Sequence, residues 1–174
     1  NPNISFLIVT YDDKDWNKEW EKTIEPIYIK DKIVIYPSWK KNSVDTERAS
    51  IQIEIDPKMS FGTGHNETTQ LILEDMCEHI ESTDKCMLDF GSGTAILAIA
   101  GVKLGIEKAI AIDIDDDSIE NAIDYAEINN VSDKILIYKA DLREIDENDF
   151  DVICANITSN VIIPNMDLIH TKLK

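Results

Sequence analysis

The chain has 174 residues, of which 43% are hydrophobic and 29% are charged, and its formal net charge at pH 7 is −17. This length and composition predict one sizeable domain with a packed core and a polar surface. We expect no membrane contact, because no apolar run approaches the roughly 20 residues that a transmembrane helix needs. The first residues lack the pattern of a signal peptide, and because the chain starts without Met we expect an N-terminal portion to precede it.

The negative charge restricts the possible partners. Tight binding to a nucleic-acid backbone needs clustered Lys and Arg, and here 17 such residues stand against 34 Asp and Glu. We therefore expect no direct contact with nucleic acid. The charge is compatible with a basic protein partner attracted by electrostatic steering, although a solvated acidic surface is the simpler explanation.

The cysteines and histidines predict neither disulfides nor a metal site. Three cysteines lie in apolar surroundings without a CxxC spacing, and the three histidines are scattered along the chain. An odd number of cysteines in this setting is typical of reduced, buried thiols and of a cytoplasmic location.

The N-terminal third is predicted to contain three strands and a short helix. The strands are "ISFLIVTYD" at residues 4–12, "KIVIYPSW" at 32–39 and "ASIQIEID" at 49–56, all rich in β-branched or aromatic residues. Between the first two, Trp16 and Trp20 lie on one face of a predicted helix. A pair of core anchors explains these indoles better than an aromatic ligand cage does.

From Asp56 onward the pattern predicts an α/β fold. The loop "DPKMSFGTGHNETT" leads into a helix over residues 68–82 whose predicted packing face includes Leu71, Met76 and His79. Four segments with strand patterns then alternate with helical ones: "CMLDFG", "KAIAIDID", "KILIYKA" and "DVICANI". Such alternation predicts a mostly parallel, doubly wound sheet with helices on both faces.

A glycine turn follows the first of these strands, in "LDFGSGTAILAIA". The dinucleotide fingerprint G-x-G-x-x-G does not match this turn. A start at Gly91 would need glycine where the chain has Ile96, and a start at Gly93 would need glycine where it has Ala95. The pattern D-x-G-x-G instead favours a small zwitterionic group, which the backbone of Gly91 and Gly93 can approach closely while Asp89 orients one end of it.

Polar residues end the other strands at the same edge of the sheet. Asp113, 22 residues after Gly91, is placed to accept hydrogen bonds from both hydroxyls of a ribose, with Asp115 or its neighbours as the better helix cap. Asp141 is suited either to an adenine amino group or to a turn. The side-chain amide of Asn156 needs hydrogen-bond partners, because it lies on a predicted buried strand. Its carboxamide oxygen could accept a hydrogen bond from an incoming amine. The alternative is a purely structural role for this residue.

These segments together resemble the class I methyltransferases that use S-adenosylmethionine. Within them the chain is most similar to the bacterial family that methylates a protein of the large ribosomal subunit (PrmA). The resemblance rests on "DWNKEW", "IDPKMSFGTGHNETT", "LDFGSGTAILAIAGVKLG", "AIAIDIDDDSIENAIDYAEINNV" and "DVICANIT". The loop "FGTGHNETT", at its spacing before the glycine turn, is the most specific of them.

The resemblance implies a Rossmann-like fold and a set of site residues. Thr69, Gly91, Gly93, Asp113 and Asn156 would bind S-adenosylmethionine, with Asn156 also catalytic and no metal involved. Residues 1–23 would hold the last strand of an N-terminal recognition domain and a helical linker, and residues 24–174 the cofactor-binding domain. The resemblance also implies that the chain is truncated at both ends, with the later strands of the sheet missing.

The implied function is methyl transfer to amino groups of a protein, a large-subunit ribosomal protein by the resemblance. Ala95 replaces a glycine usual in the family, and we expect cofactor binding to survive because alanine is small. Alternatives are another protein or small-molecule amine as acceptor, and a non-catalytic fragment that binds the cofactor. A nicotinamide-dependent oxidoreductase is disfavoured by Ile96. Methylation of nucleic-acid amines would favour Asn-Pro-Pro-Tyr where this chain has residues 156–159, "NITS".

Overall fold

The computed structural model describes residue 21, residues 23–56 and residues 64–174. The predicted strand at residues 4–12, the helix with Trp16 and Trp20, and the first half of the glycine-containing loop lie outside these residues. The same holds for the predicted linker before residue 24.

A small mixed sheet forms the first part of the described chain. It consists of β1 (Ile27–Ile29), β2 (Ile33–Tyr36) and β3 (Ile51–Glu54), with β2 in the centre, antiparallel to β1 and parallel to β3. Every residue of β2 is buried, which explains its uninterrupted apolar sequence. Strand β1 was not predicted, and "KIVIYPSW" is a strand only to Tyr36, because Ser38–Ser43 form a 3-10 helix.

The main sheet is parallel, as predicted. It contains β4 (Cys86–Phe90), β5 (Lys108–Asp113), β6 (Ile135–Lys139) and β7 (Val152–Cys154), in the spatial order β6-β5-β4-β7. From β4 the chain runs outward to β6 and then returns to place β7 on the other side of β4. The strand order therefore switches between β4 and β7, and ligands of such sheets bind beyond the carboxyl ends at that point.

In the described part of the chain, four α-helices accompany the strands: α1 (Glu67–His79), α2 (Ile96–Leu104), α3 (Asp116–Ile128) and α4 (Ser159–Lys172). One hydrophobic cluster joins the first three helices to one face of the main sheet and to the small sheet, and a second cluster joins α4 to the opposite face. This arrangement confirms the predicted doubly wound architecture. Within the described ranges, no helix is long and apolar enough to cross a membrane.

The packing face of α1 differs from the predicted one. Its buried residues are Thr69, Leu73 and Met76, whereas Leu71 is 64% exposed and His79 also faces solvent. Met76 is buried as predicted, but the prediction placed Leu71 and His79 on this face and left out Thr69 and Leu73. The observed face starts with a polar residue, and this is possible because a partner across the sheet edge satisfies the Thr69 hydroxyl, as described below.

Candidate functional site

A cavity of about 350 Å³ opens at the carboxyl edge of the main sheet, between the ends of β4 and β7 and the first turn of α1. Four of the five residues predicted to bind a cofactor line it: Thr69, Gly91, Gly93 and Asn156. The remaining lining residues are Asn66, Glu67, Thr68, Asp89, Ser92, Ile96 and Leu97. The fold thus brings together side chains that are up to 90 residues apart in sequence, from Asn66 to Asn156.

The glycine turn after β4 has an unusual backbone. Gly91, Gly93 and Ala95 all have positive φ, at 72°, 53° and 58°. The N–H groups of Gly91 and Ser92 both donate to the carbonyl of Ile112 at 2.9 Å, which folds the turn onto the end of β5. Glycine tolerates such backbone angles and alanine does so at a cost.

Gly91 is further restricted by a residue of the loop that follows β7. A Cβ added at Gly91 would lie 2.2 Å from Cγ2 of Ile157, the residue after Asn156. From the sequence, we expected a ligand to approach the backbone of Gly91 closely. In the structure, Ile157 of the chain itself makes a close approach to this glycine. The absent side chain lets β7 end directly against the turn.

Asp113 lies beside the turn and holds it. Its Oδ2 accepts a hydrogen bond from the Gly93 N–H at 2.9 Å, and its Oδ1 accepts one from the Asp115 N–H at 3.1 Å. Asp113 does not belong to the cavity lining itself. The cap of α3 is Asp115, whose side chain accepts from the Ser118 N–H at 2.9 Å, as the sequence indicated.

Asp141 has a local role in the structure. Its side chain caps the 3-10 helix Leu142–Glu144 and forms an ion pair with Arg143, with Nε and Oδ1 2.7 Å apart. This pairing and the hydrogen bond from the Arg143 N–H lower the pKa of the Asp141 carboxyl. Of the two interpretations that the sequence left open, the turn residue is the one that these contacts support.

Thr69 and Asn156 meet on the cavity wall. Asn156 Nδ2 donates to Thr69 Oγ1 at 2.9 Å, and Thr69 is buried. This hydrogen bond fixes which way the carboxamide faces. Among the described residues, no group donates a hydrogen bond to Asn156 Oδ1, so this oxygen remains an available acceptor.

Asp89 is the buried carboxylate of the site. It is 1% exposed, and its Oδ2 accepts from the Ala98 N–H of α2 at 3.0 Å. Burial raises the pKa of Asp89 to about 7; the Ala98 hydrogen bond opposes this shift, and the negative charge of Asp113 adds to it. The side chain thus binds the first turn of α2 and also lines the cavity. Its predicted part in orienting one end of a ligand stays a prediction.

Ser92 and Glu67 are two of the lining residues that were not predicted from the sequence. Ser92 is 6% exposed, and its Oγ is a buried oxygen without a hydrogen-bond partner in the described part of the chain. Glu67, the first residue of α1, presents an exposed carboxylate. Both could have been predicted from the sequence, because Ser92 lies in "FGSG" and Glu67 in "NETT". These two segments were already assigned to the site.

Comparison with known proteins gives one consistent family. A family model described as "Ribosomal protein L11 methyltransferase (PrmA)" matches residues 2–174. A ribosomal protein L11 methyltransferase from Bacteroides thetaiotaomicron is 41% identical over 165 residues, covering 94% of this chain and 57% of that protein. One from Escherichia coli is 42% identical over 146 residues, covering 84% and 48%. The chain therefore spans about half the length of the curated relatives it matches.

Solved structures agree with this result. A ribosomal protein L11 methylase from Lactobacillus delbrueckii subsp. bulgaricus superposes with a TM-score of 0.76 at 29% identity, covering 87% of this chain and 76% of that one. An RNA methyltransferase from Salinibacter ruber in complex with S-adenosyl-L-homocysteine has a TM-score of 0.54 at 23% identity, covering 60% and 69%. The second likeness concerns the fold alone.

Proposed function

The chain belongs to the ribosomal protein L11 methyltransferase (PrmA) family, and from this premise we propose that it forms the catalytic part of an enzyme that methylates amino groups of a large-subunit ribosomal protein. The single observation that carries the proposal is the cavity of about 350 Å³ in which Thr69, Gly91, Gly93 and Asn156 meet. We assign residues 24–174 to the cofactor-binding domain and residues 1–23 to the end of a recognition domain and its linker, in a cytoplasmic protein.

The lining of the cavity fits S-adenosylmethionine. The zwitterionic methionine end needs several hydrogen-bonding groups at close range. The cavity offers it the N-terminal turn of α2, where Ile96 and Leu97 belong to the lining and the first backbone N–H groups of the helix have no partner within the helix. It also offers the Ser92 hydroxyl, a buried oxygen that has no partner in the described structure and whose burial costs about 1–3 kcal/mol unless one binds there. We assign the cofactor to Thr69, Gly91, Gly93, Asp113 and Asn156, with Ser92 as an additional contact.

S-adenosylmethionine, when bound, supplies a methyl group on a positively charged sulfur; an amine nitrogen attacks this carbon as the carbon–sulfur bond breaks, leaving a neutral thioether. The residues of the chain then mainly align the amine. Asn156 is suited to this because Thr69 holds its Nδ2 at 2.9 Å, which leaves Oδ1 to accept a hydrogen bond from the amine. The proton that the amine must lose goes to solvent.

The charge of the site suits a cationic acceptor. A lysine ammonium has an unperturbed pKa of about 10.4 and arrives protonated at neutral pH. Glu67 lines the cavity with an exposed carboxylate, in a chain whose net charge is −17. These negative charges attract a basic protein and its amine to the edge of the sheet.

The proposal is tested by methyl transfer with the full-length protein. Labelled S-adenosylmethionine is incubated with the enzyme and the separated proteins of the large ribosomal subunit, and label is expected in one of them as methylated amine. Transfer to free amines but to no ribosomal protein would point to a small-molecule acceptor. Cofactor binding without transfer to any acceptor would contradict the proposed activity.

Substitution of Asn156 tests the proposed alignment of the amine. In Asn156→Ala the acceptor loses its hydrogen-bond partner while most cofactor contacts remain, so kcat is expected to fall about 100-fold, in the range typical of a misplaced reactant. Cofactor affinity, measured by calorimetry, is expected to fall much less. Thr69→Val, which frees the amide without removing it, should lie between wild type and Asn156→Ala. Unchanged turnover in Asn156→Ala would contradict this role.

A further inference from the structure

Two side chains of the α3 segment bind the end of β3 in the small sheet. Asn129 follows the last residue of α3 and is 4% exposed. Its Oδ1 accepts from the Glu54 N–H at 2.9 Å, and its Nδ2 donates to the Glu54 carbonyl at 2.8 Å and to the Tyr125 carbonyl at 2.9 Å. The amide thus pairs with Glu54 as a neighbouring strand would, and both backbone groups of Glu54 are satisfied.

Tyr125 extends this contact by two residues. Its hydroxyl donates to the carbonyl of Asp56 at 2.8 Å. On its other side Asp56 is held by Ser38, whose N–H and hydroxyl donate to the two carboxylate oxygens at 2.6 and 3.0 Å. Burial raises the pKa of Tyr125 to about 12, so the phenol remains a hydrogen-bond donor over the physiological pH range.

The anchored residues lie directly before the segment that leads to the cavity. Residues 57–63 connect Asp56 to Gly64, and the Gly64 carbonyl accepts from Gln70 Nε2 at 3.1 Å. Gln70 is the neighbour of Thr69 on α1. At its other end α3 starts three residues after Asp113, which binds the glycine turn. The α3 segment therefore contacts the end of β3, and it follows closely after the aspartate that holds the glycine turn.

We propose that Tyr125 and Asn129 are positioning residues: by fixing Glu54 and Asp56 to α3, they set where the following segment delivers Asn66–Thr69 to the cofactor site. The choice of ligand in this inference rests on the proposed function. The contact between the α3 segment and the end of β3 is independent of that function. Neither side chain lines the cavity, so any effect of these residues on binding is indirect.

The full-length protein tests this with Tyr125→Phe, which removes one hydroxyl and keeps the packing of the ring. The dissociation constant for S-adenosylhomocysteine is expected to rise about five- to tenfold, corresponding to one lost hydrogen bond. Amide hydrogen exchange of residues 64–70 is expected to become faster. Asn129→Ala is expected to show the same rise of the dissociation constant and the same faster exchange, when it is measured below its own melting temperature.

Tyr138→Phe is the matched control, because Tyr138 is a half-buried tyrosine that packs in the other hydrophobic cluster. It should leave both measurements at the wild-type values. Wild-type affinity and exchange in both Tyr125→Phe and Asn129→Ala would overturn the inference. If the wild-type protein did not bind S-adenosylhomocysteine, the proposed function would fail, and the exchange of residues 64–70 would still decide whether α3 positions them.

Discussion

Two single residues near the cavity, Asp89 in β4 and Ala95 in the turn after it, occupy energetically unfavourable environments. Ala95 is fully buried and has φ of 58°, a backbone conformation that costs a non-glycine residue about 1–2 kcal/mol. Asp89 is buried with one hydrogen bond from the backbone of α2. Both features are unfavourable for folding by themselves. Both lie on or beside the cavity, where strained and buried polar groups are commonly found.

The strain at Ala95 predicts a contrast between two alanines of one segment. Ala98→Gly, inside α2, should lower the free energy of unfolding by about 1–2 kcal/mol through lost helix propensity and a lost methyl contact. Ala95→Gly loses a similar contact but relieves the positive φ, so it should stay within about 0.5 kcal/mol of wild type. Urea unfolding of the two variants measures both values. Equal destabilisation would show that Ala95 is not strained.

The buried carboxyl of Asp89 predicts a pH dependence of stability. Its pKa is about 7 in the folded chain and near the usual value of about 3.9 when unfolded. Between these values the folded state binds more protons than the unfolded one, so the contribution of Asp89 falls as pH rises, by at most about 1.4 kcal/mol per pH unit. Asp89→Asn cannot ionise, so its stability relative to wild type should increase from pH 5 to pH 8. A constant difference in urea unfolding across this range would contradict the assignment.

Among the elements, α2 and α4 are held to the sheet in different ways. Residues Ile96–Val102 of α2 are all buried, as expected for a helix between two packed layers. Helix α4 is mostly exposed and is tied down near its end by Lys172, a buried lysine whose Nζ donates to the carbonyls of Ile145 and Glu147. These carbonyls lie between β6 and β7, so Lys172 fixes the connection that returns the chain across the sheet.

The close packing of α2 on β4 is tested by a double-mutant cycle. A Cβ at Gly101 would lie 2.3 Å from Sδ of Met87, which is fully buried. Gly101→Ala should therefore destabilise by about 1–3 kcal/mol through overpacking, and Met87→Ala by about 2–5 kcal/mol through a cavity. In the double variant the new methyl enters the space that Met87 leaves, so the combined cost should be at least about 1 kcal/mol below the sum. Additive values in denaturant unfolding would show that the two sites do not touch.

At the scale of these 174 residues as a whole, the negative charge is the dominant property. A net charge of −17 on 174 residues creates a field that reaches beyond individual contacts and is screened over about 8 Å at physiological salt. Such a field accelerates encounter with a basic partner. It contributes little to binding of a small cofactor with few charges.

This difference predicts the salt dependence of the reaction. With the full-length protein and the proposed protein acceptor, kcat/KM is expected to fall several-fold between about 50 and 300 mM NaCl, because screening weakens the long-range attraction to this acidic part of the chain. The dissociation constant for the cofactor should change by less than about twofold over the same range. A kcat/KM independent of salt would mean that the charge only solvates the surface.

The sequence by itself determined the architecture of the main sheet and most of the candidate site. Apolar strand segments alternating with helical ones specify a parallel sheet, since each must bury its apolar face against the others. Because carboxyl ends of parallel strands share one edge, the residues that follow them could be placed together before any coordinates. Asn156 and the glycine turn are examples, and the family membership confirms the resemblance on which their roles were predicted. The roles themselves remain predictions.

The tertiary structure alone decided which atoms meet. The sequence assigned Leu71 to the packing face of α1, but Thr69 is buried there because Asn156, 87 residues later, donates to its hydroxyl. Likewise the glycine at position 91 is required by Ile157, and the end of β3 is fixed by Asn129. Periodicity reports only the average environment of a segment. Contacts between distant segments depend on how the helices are rotated and on the distances between elements, which packing settles once all of them are in place.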